Sequence, residues 1–149
     1  MQAIILIGLQ GSGKSTFYQR QFSTTHLRLN LDMLKTRHRE KVLLQACLTA
    51  LQPFVIDNTN PTKAERLVYL EAARNAGFRT AGYYLQSKIE DCKRRNELRS
   101  IAQQVPLPGI LGTAGRMELP SRQEGFDELF YVCINEANEF VIEEWKDEV

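Results

Sequence analysis

A glycine-rich loop near the start of the chain limits the possible folds more than any other feature of the sequence. Residues 8–15 fit the pattern G-x-x-x-x-G-K-[ST] at every fixed position, and an apolar run from Ala3 to Ile7 precedes them. In this pattern, known as a P-loop, glycines allow successive backbone N–H groups to turn toward the oxygens of a polyphosphate. The N-terminus of the helix that follows adds its positive dipole. The sequence therefore predicts that the chain binds a nucleoside triphosphate.

The P-loop supplies the predicted nucleotide-binding residues. We expect Lys14 to reach the β- and γ-phosphates and the hydroxyl of Ser15 to bind Mg²⁺. A glycine-rich turn without a ligand is the alternative, but the apolar strand, the spacing, the lysine and the serine are all in place. The predicted nucleotide-binding set is Gly8, Gly11, Ser12, Gly13, Lys14, Ser15 and Thr16.

The composition indicates an ordinary globular domain, which we predict to span residues 1–149 as a single unit. A net charge of +1 at pH 7 argues neither for nor against nucleic-acid binding, so any basic surface must be local. Cys47, Cys92 and Cys133 are far apart and lack zinc-ligand spacing, which predicts free thiols and no disulfides. The N-terminal apolar run is too short to span a membrane and lacks the charged start of a signal peptide. We therefore expect a cytoplasmic protein with no membrane partner.

Strands alternate with helices along the chain, which predicts a parallel sheet covered by helices on both faces. We expect a P-loop NTPase fold, an α/β three-layer αβα sandwich with about five strands, adenylate-kinase-like, with a small lid at about residues 95–120. The predicted strands are 3–7, 26–30, 54–57, 78–85 and 129–134. The predicted helices are 14–21, 33–51, 62–76, 87–99 and 139–148, with capping boxes at 62–65 and 87–90 and a stop at Gly77. Residues 103–120 are expected to form a mobile connection with one or two helical turns.

Polar residues follow the predicted strands at the edge of the sheet where ligands of such folds bind. Asp32 is either a group that accepts the proton of a hydroxyl acceptor or the N-cap of the next helix. Asp57 is either an acid on the magnesium side or the start of an Asx turn, and its position after an apolar strand favours the functional role. Asn58 and Asn60 either orient an acceptor or cap the next helix.

The densest basic run of the sequence spans residues 93–99 and contains Arg95 and Arg99. Their i, i+4 spacing predicts that both side chains lie on one face of a helix. A solvated helix face is the ordinary interpretation of such a run. The alternative is a lid whose arginines close over the phosphates and stabilise the charge of the transition state.

Taken in order, these motifs resemble the kinase domain of polynucleotide 5′-hydroxyl kinases. The resemblance covers most of the chain and rests on residues 8–16, 30–32, 55–61, 95–99 and 124–129. It implies that Asp32 is the general base and that Asp57 is the acid at the end of the strand beside the P-loop strand. It also implies that Arg95 and Arg99 are lid arginines.

Lys35 departs from the phage-type members of that family, which carry an arginine three residues after the base to hold the acceptor phosphate. A lysine keeps the charge but lacks the bidentate fork of arginine. The predicted acceptor-binding set is Lys35, Asp57, Asn58 and Asn60. The predicted metal ligands are Ser15 and Asp57, and the predicted catalytic residues are Lys14, Asp32, Arg95 and Arg99.

The predicted function is a transfer of the γ-phosphate of ATP, with Mg²⁺, to a hydroxyl group, with the 5′-hydroxyl of a polynucleotide as first choice. One alternative is a kinase of a small hydroxylated molecule, such as a nucleoside or a metabolite, which the near-neutral net charge supports. A different class is a nucleotide-binding switch that hydrolyses ATP slowly and acts through a partner. In that class Asp32 would be dispensable.

Overall fold

A six-stranded sheet forms the centre of the structure, a computed structural model that describes residues 1–147. Its strands are β1 Gln2–Ile7, β2 Leu27–Leu29, β3 Phe54–Ile56, β4 Arg79–Leu85, β5 Glu128–Ile134 and β6 Phe140–Glu144. Their order across the sheet is β2-β3-β1-β4-β5-β6, so that β1 lies between β3 and β4. The first five strands are parallel, and β6 is antiparallel to β5.

Helices and short 3₁₀ turns connect the strands. The helices are α1 Lys14–Gln21, α2 Leu31–Leu34, α3 Arg37–Ala50, α4 Lys63–Asn75, α5 Ile89–Glu97 and α6 Leu107–Arg116, with 3₁₀ turns at Ile101–Gln103 and Arg122–Glu124. No helix within residues 1–147 has the length and apolar character needed to cross a membrane.

The side chains of β1 alternate between the two faces of the sheet and are buried on both. Ile5 belongs to one apolar cluster with Leu70 of α4, and Ile4 belongs to another with Phe17 of α1. Burial on both faces is characteristic of a central parallel strand, and it explains why this strand is a continuous apolar run. The predicted three-layer arrangement is therefore confirmed.

The predicted helix at 139–148 is wrong, because Phe140–Glu144 forms β6; Glu148 lies outside the described residues. A tight turn reverses the chain before β6, with Asn138 at a φ of 62°. The ring of Phe140 then lies 5.1 Å from that of Phe17. Pairing with β5 and this aromatic contact outweigh the helical propensity of the glutamates.

The predicted helix at 33–51 is divided into α2 and α3. Lys35, with a φ of 74°, separates them. Asn30 and Thr36 cap the two helices with their side-chain oxygens. Asp32 consequently lies in the first turn of α2, after the cap, and not at the cap itself.

The start of α5, its end and the segment after it also differ from the prediction. Ser87 forms no capping box; its hydroxyl accepts from the N–H of Leu9 (3.0 Å) and donates to the carbonyl of Leu85 (2.8 Å). Helix α5 ends before Arg99, so Arg95 and Arg99 do not share a helix face. The connection at 103–120 contains α6, a helix of ten residues, where one or two turns were predicted.

A buried ion pair joins α4, whose capping box and stop at Gly77 form as predicted, to the 3₁₀ turn before β5. Arg66 Nε donates to Glu124 Oε1 (2.8 Å), and its Nη1 donates to the carbonyl of Asn60 (2.8 Å). The Arg66 side chain is 0% exposed and that of Glu124 is 7% exposed. A guanidinium buried this fully is stable only while a partner compensates its charge.

Glu124→Gln should lower the free energy of unfolding by about 3–5 kcal/mol, because it leaves the charge of Arg66 buried without a carboxylate. Urea denaturation followed by circular dichroism measures the change. Glu128→Gln is the matched control, since its ion pair with Arg79 is exposed and such pairs contribute about 0–1 kcal/mol. Equal losses in the two variants would contradict the assigned role of the buried pair.

Candidate functional site

The P-loop adopts a conformation that requires glycine at two positions. Gly11 and Gly13 have φ values of 83° and 100°. A Cβ at Gly11 would also collide with the carbonyl oxygen of Cys92 on α5. Beyond Gly13 the chain enters α1 at Lys14, so the N-terminus of that helix faces the loop as predicted.

Lys14 is buried within the loop that it follows. Its Nζ donates to the carbonyls of Gly8 and Leu9, both at 2.9 Å. Burial lowers the pKa of this ammonium to about 8, while the carboxylate of Asp57 opposes the shift and Arg99 adds to it. A polyphosphate bound at the loop would place negative charge beside Nζ and so favour the charged form of Lys14.

The ends of β2 and β3 are joined by hydrogen bonds at the carboxyl edge of the sheet. The side-chain N–H of Asn30 donates to the carbonyl of Asp57 (2.6 Å). The side-chain oxygen of Asn58 accepts from the N–H of Leu31 (3.0 Å). These contacts fix the start of α2, which carries the exposed residue Asp32.

A buried acid that the sequence reasoning missed supports Asn58. Glu40 Oε2 accepts from Asn58 Nδ2 (2.9 Å), and its Oε1 accepts from the hydroxyl of Tyr69 (2.8 Å) and from Arg37 (3.2 Å). Burial raises the pKa of Tyr69 to about 12, and its hydrogen bond to Glu40 adds to the shift. The sequence signal was the position of Glu40 on the same face of α3 as Leu44.

Arg28 is the second residue that sequence reasoning missed. Its Nε donates to Asp57 Oδ2 (2.8 Å) and its Nη2 donates to Ser15 Oγ (3.0 Å). The hydroxyl and the carboxylate predicted to bind Mg²⁺ thus meet at one guanidinium. Hard oxygen donors converging from two elements suit Mg²⁺, which takes one or two protein ligands together with phosphates and water. The signal in the sequence that could have revealed this role was an arginine in the middle of the short strand β2.

Two adjoining cavities lie in front of the P-loop and share Ser15, Asp32 and Arg99 in their walls. The smaller, of about 340 Å³, is lined by Gln10, Lys14, Ser15, Asn30, Leu31, Asp32, Asp57, Asn58, Thr59, Arg99 and Val105. The larger, of about 970 Å³, is lined by Gly13, Ser15, Thr16, Arg28, Asn30, Leu31, Asp32, Met33, Lys35, Arg99 and the lid residues 102–105. The structure therefore brings most of the predicted site residues to one crevice.

Arg95 and Asn60 are placed elsewhere. Arg95 Nη1 donates to the carbonyl of Gly11 (3.3 Å), on the side of the P-loop where Ser12 and Phe140 lie. Asn60 is buried, and its side-chain N–H groups donate to the carbonyls of Leu6 (2.7 Å) and Asn58 (3.3 Å). Asn60 therefore holds its own loop against β1, and its predicted contact with an acceptor is not part of this arrangement.

The lid segment packs directly on the P-loop. Ile110 of α6 forms an apolar cluster with Leu9 and Cys92. The side chain of Gln10 donates to the hydroxyl of Thr113 (3.0 Å). The crevice is thus bounded by the P-loop, the strand ends and a docked lid. The exposed Asp32 lines it together with Lys14 and Arg99. Such an arrangement is suited to bind a polyphosphate and to take a proton from a second substrate.

Comparison with known proteins identifies relatives over most of the chain. The sequence model of the AAA domain family matches residues 4–119. The chain is 30% identical over 145 residues to a bifunctional polynucleotide phosphatase/kinase of Schizosaccharomyces pombe, covering 91% of this chain and 35% of the relative. It is 27% identical over 135 residues to a putative bifunctional polynucleotide phosphatase/kinase of Acanthamoeba polyphaga mimivirus, covering 86% and 32%. The chain thus spans about a third of the length of these relatives.

The fold has counterparts among solved structures. Chaetomium thermophilum Kti12 in complex with ADP-AlF3 superposes with a TM-score of 0.64 at 20% identity, covering 91% of this chain and 92% of that chain. Identity at this level shows the fold alone. The likeness supports the predicted P-loop architecture.

Lys14→Met should weaken nucleotide binding by at least about tenfold, because it removes an ammonium whose charge-assisted hydrogen bonds contribute about 1.5–3 kcal/mol. Methionine fills similar space and removes a buried charge, which offsets the two hydrogen bonds lost at Gly8 and Leu9. The melting temperature should therefore stay close to that of the wild type. Fluorescent-nucleotide titration and thermal melting, measured together, test both expectations, with the exposed Lys41→Met as control. Unchanged affinity would exclude the phosphate role, and a collapsed melting transition would indicate a structural one.

Proposed function

We propose that this chain, which belongs to the AAA domain family, is an ATP-dependent kinase that transfers the γ-phosphate to the 5′-hydroxyl of a polynucleotide. The observation that carries the proposal is the position of Asp32. Its exposed carboxylate lines both cavities, together with Ser15 at the start of α1 and Arg99 from the lid. A donor phosphate on the P-loop and an acceptor hydroxyl beside Asp32 would then face each other.

The residues divide the reaction between them. The P-loop N–H groups and Lys14 bind the phosphates, and Asp32 orients the acceptor hydroxyl and accepts its proton. Arg99 lies over the crevice, where its charge stabilises the phosphoryl group in transfer. Mg²⁺, held by Ser15 and Asp57, would neutralise charge on the donor phosphates. Asn58, supported by Glu40, holds the start of α2, which carries Asp32.

A polynucleotide acceptor is supported by two independent observations. Both relatives named above are described as polynucleotide phosphatase/kinases, and they match most of this chain. The larger cavity, of about 970 Å³, also carries Arg28, Lys35 and Arg99 in its walls, although the net charge of the chain is only +1. Local cationic residues are what a phosphate backbone requires. We place the activity in the cytoplasm, where free thiols such as Cys133 stay reduced.

Asp32→Asn should lower kcat by about 10²–10⁴-fold and leave nucleotide affinity nearly unchanged, because the carboxylate faces the acceptor and not the nucleotide. Transfer of label from γ-labelled ATP to a 5′-hydroxyl oligonucleotide measures kcat, and a separate titration measures ADP affinity. If ATP hydrolysis without an acceptor is the main activity and survives in the variant, the chain is a nucleotide-binding switch and the general-base assignment is wrong.

Lys35→Gln should weaken the binding of an oligonucleotide that carries a phosphate next to its 5′-hydroxyl, and should spare a nucleoside. The salt slope of oligonucleotide binding should decrease by about 0.7 for each phosphate of a single strand that the variant no longer neutralises. Salt titrations of the wild type and the variant on both acceptors measure this, with Lys41→Gln, on the exposed face of α3, as control. Equal effects on both acceptors, or no salt dependence in the wild type, would favour a small-molecule acceptor.

A further inference from the structure

Arg28 contacts both Asp57 and Ser15, although the contact with Asp57 alone would neutralise that buried carboxylate. Its Nε lies 2.8 Å from Asp57 Oδ2, and the Asp57 side chain is 1% exposed. Its Nη2 lies 3.0 Å from the hydroxyl oxygen of Ser15 on α1. Compensation of the buried charge explains the first contact. The second contact compensates no buried charge, because Ser15 is an exposed residue with a neutral side chain.

The surroundings hold this guanidinium in place. Its central carbon lies 5.9 Å from the centre of the Tyr18 ring, and the Tyr18 hydroxyl donates to the carbonyl of His26 (2.6 Å). The Arg28 side chain is nevertheless 28% exposed and lines the larger cavity. It is therefore both fixed at the two oxygens and open to a ligand from the cavity side.

These two oxygens are the groups that would hold Mg²⁺, so guanidinium and metal compete for them. A divalent cation that binds Ser15 and Asp57 is repelled by the positive charge of Arg28, which already contacts both residues. A nucleotide changes this balance, because its phosphates offer the guanidinium a bidentate partner. A guanidinium drawn to a phosphate would release the hydroxyl of Ser15 for the metal.

We propose that Arg28 is a positioning residue that makes the site selective for the metal–nucleotide complex over the free divalent cation. Without nucleotide, the guanidinium of Arg28 supplies the positive charge beside Ser15 and Asp57. When nucleotide binds, the Nη2 of Arg28 leaves Ser15 and donates to a phosphate of the nucleotide. The inference rests on the proposed function in that Ser15 and Asp57 hold the metal. It goes beyond that function because it explains how metal and nucleotide binding are coupled.

The test measures binding of Mn²⁺, as a spectroscopic substitute for Mg²⁺, by electron paramagnetic resonance. Wild type, Arg28→Gln and Arg28→Lys are each titrated with Mn²⁺ alone and with Mn²⁺ plus a non-hydrolysable ATP analogue. Arg28→Gln should bind free Mn²⁺ at least about tenfold more tightly, since it removes a full positive charge from beside the two oxygens. The same variant should bind the metal–nucleotide complex several-fold more weakly. Arg79→Gln, which alters an exposed ion pair far from the crevice, is the matched control.

Arg28→Lys keeps the test valid if Arg28→Gln fails to fold. A lysine can still compensate Asp57 but has no second arm for Ser15. Because the hydroxyl of Ser15 is then free while the positive charge remains, free Mn²⁺ should bind more tightly than to the wild type, by less than in Arg28→Gln. Unchanged or weaker binding of free Mn²⁺ in the folded variants would overturn the inference and leave Arg28 as a structural partner of Asp57. A wild type that binds no metal–nucleotide complex would instead overturn the proposed function, and this inference with it.

Discussion

The site depends on the compensation of one buried charge, that of Asp57 at the carboxyl end of β3. A carboxylate with 1% of its surface exposed is tolerated only when a cation or N–H groups replace water. Arg28 brings the cation from the neighbouring strand, and the backbone carbonyl of Asp57 binds Asn30. The same residue therefore joins β2 to β3 and, through Arg28, to Ser15. One set of contacts therefore fixes both Ser15 and the start of α2, which carries Asp32.

The P-loop is constrained from the opposite side by the lid. The carbonyl of Cys92 lies so close to Gly11 that a side chain at that position is excluded. Ile110 packs on Leu9, and the main-chain N–H of Leu9 donates to Ser87. A shift of α5 or α6 must consequently alter the backbone that is expected to bind the phosphates. The position of the lid and the conformation of the P-loop are thereby linked through packing.

Local chemistry allowed part of this structure to be predicted, while distant contacts decided the remainder. The P-loop and the capping box at Thr62 are defined by residues within a few positions of one another, and both form as predicted. β6 depends on its pairing with β5 and on the contact of Phe140 with Phe17, far away in the sequence, and no local pattern reveals that contact. Arg28 and Glu40 were missed for the same reason, because their partners come from other strands and helices. Conversely, the spacing of Arg95 and Arg99 predicted a shared face that the early end of α5 prevents.

The central position of β1 affects how the chain is made. β1 is synthesised before either of its neighbours, and Ala3 pairs with Phe54 on one side and with Thr80 on the other. Until those segments leave the ribosome, an apolar strand with two open edges has no sheet to join. Such long-range pairing slows folding and exposes surface that aggregates. During translation β1 therefore keeps at least one open edge until the residues of β4 have been synthesised.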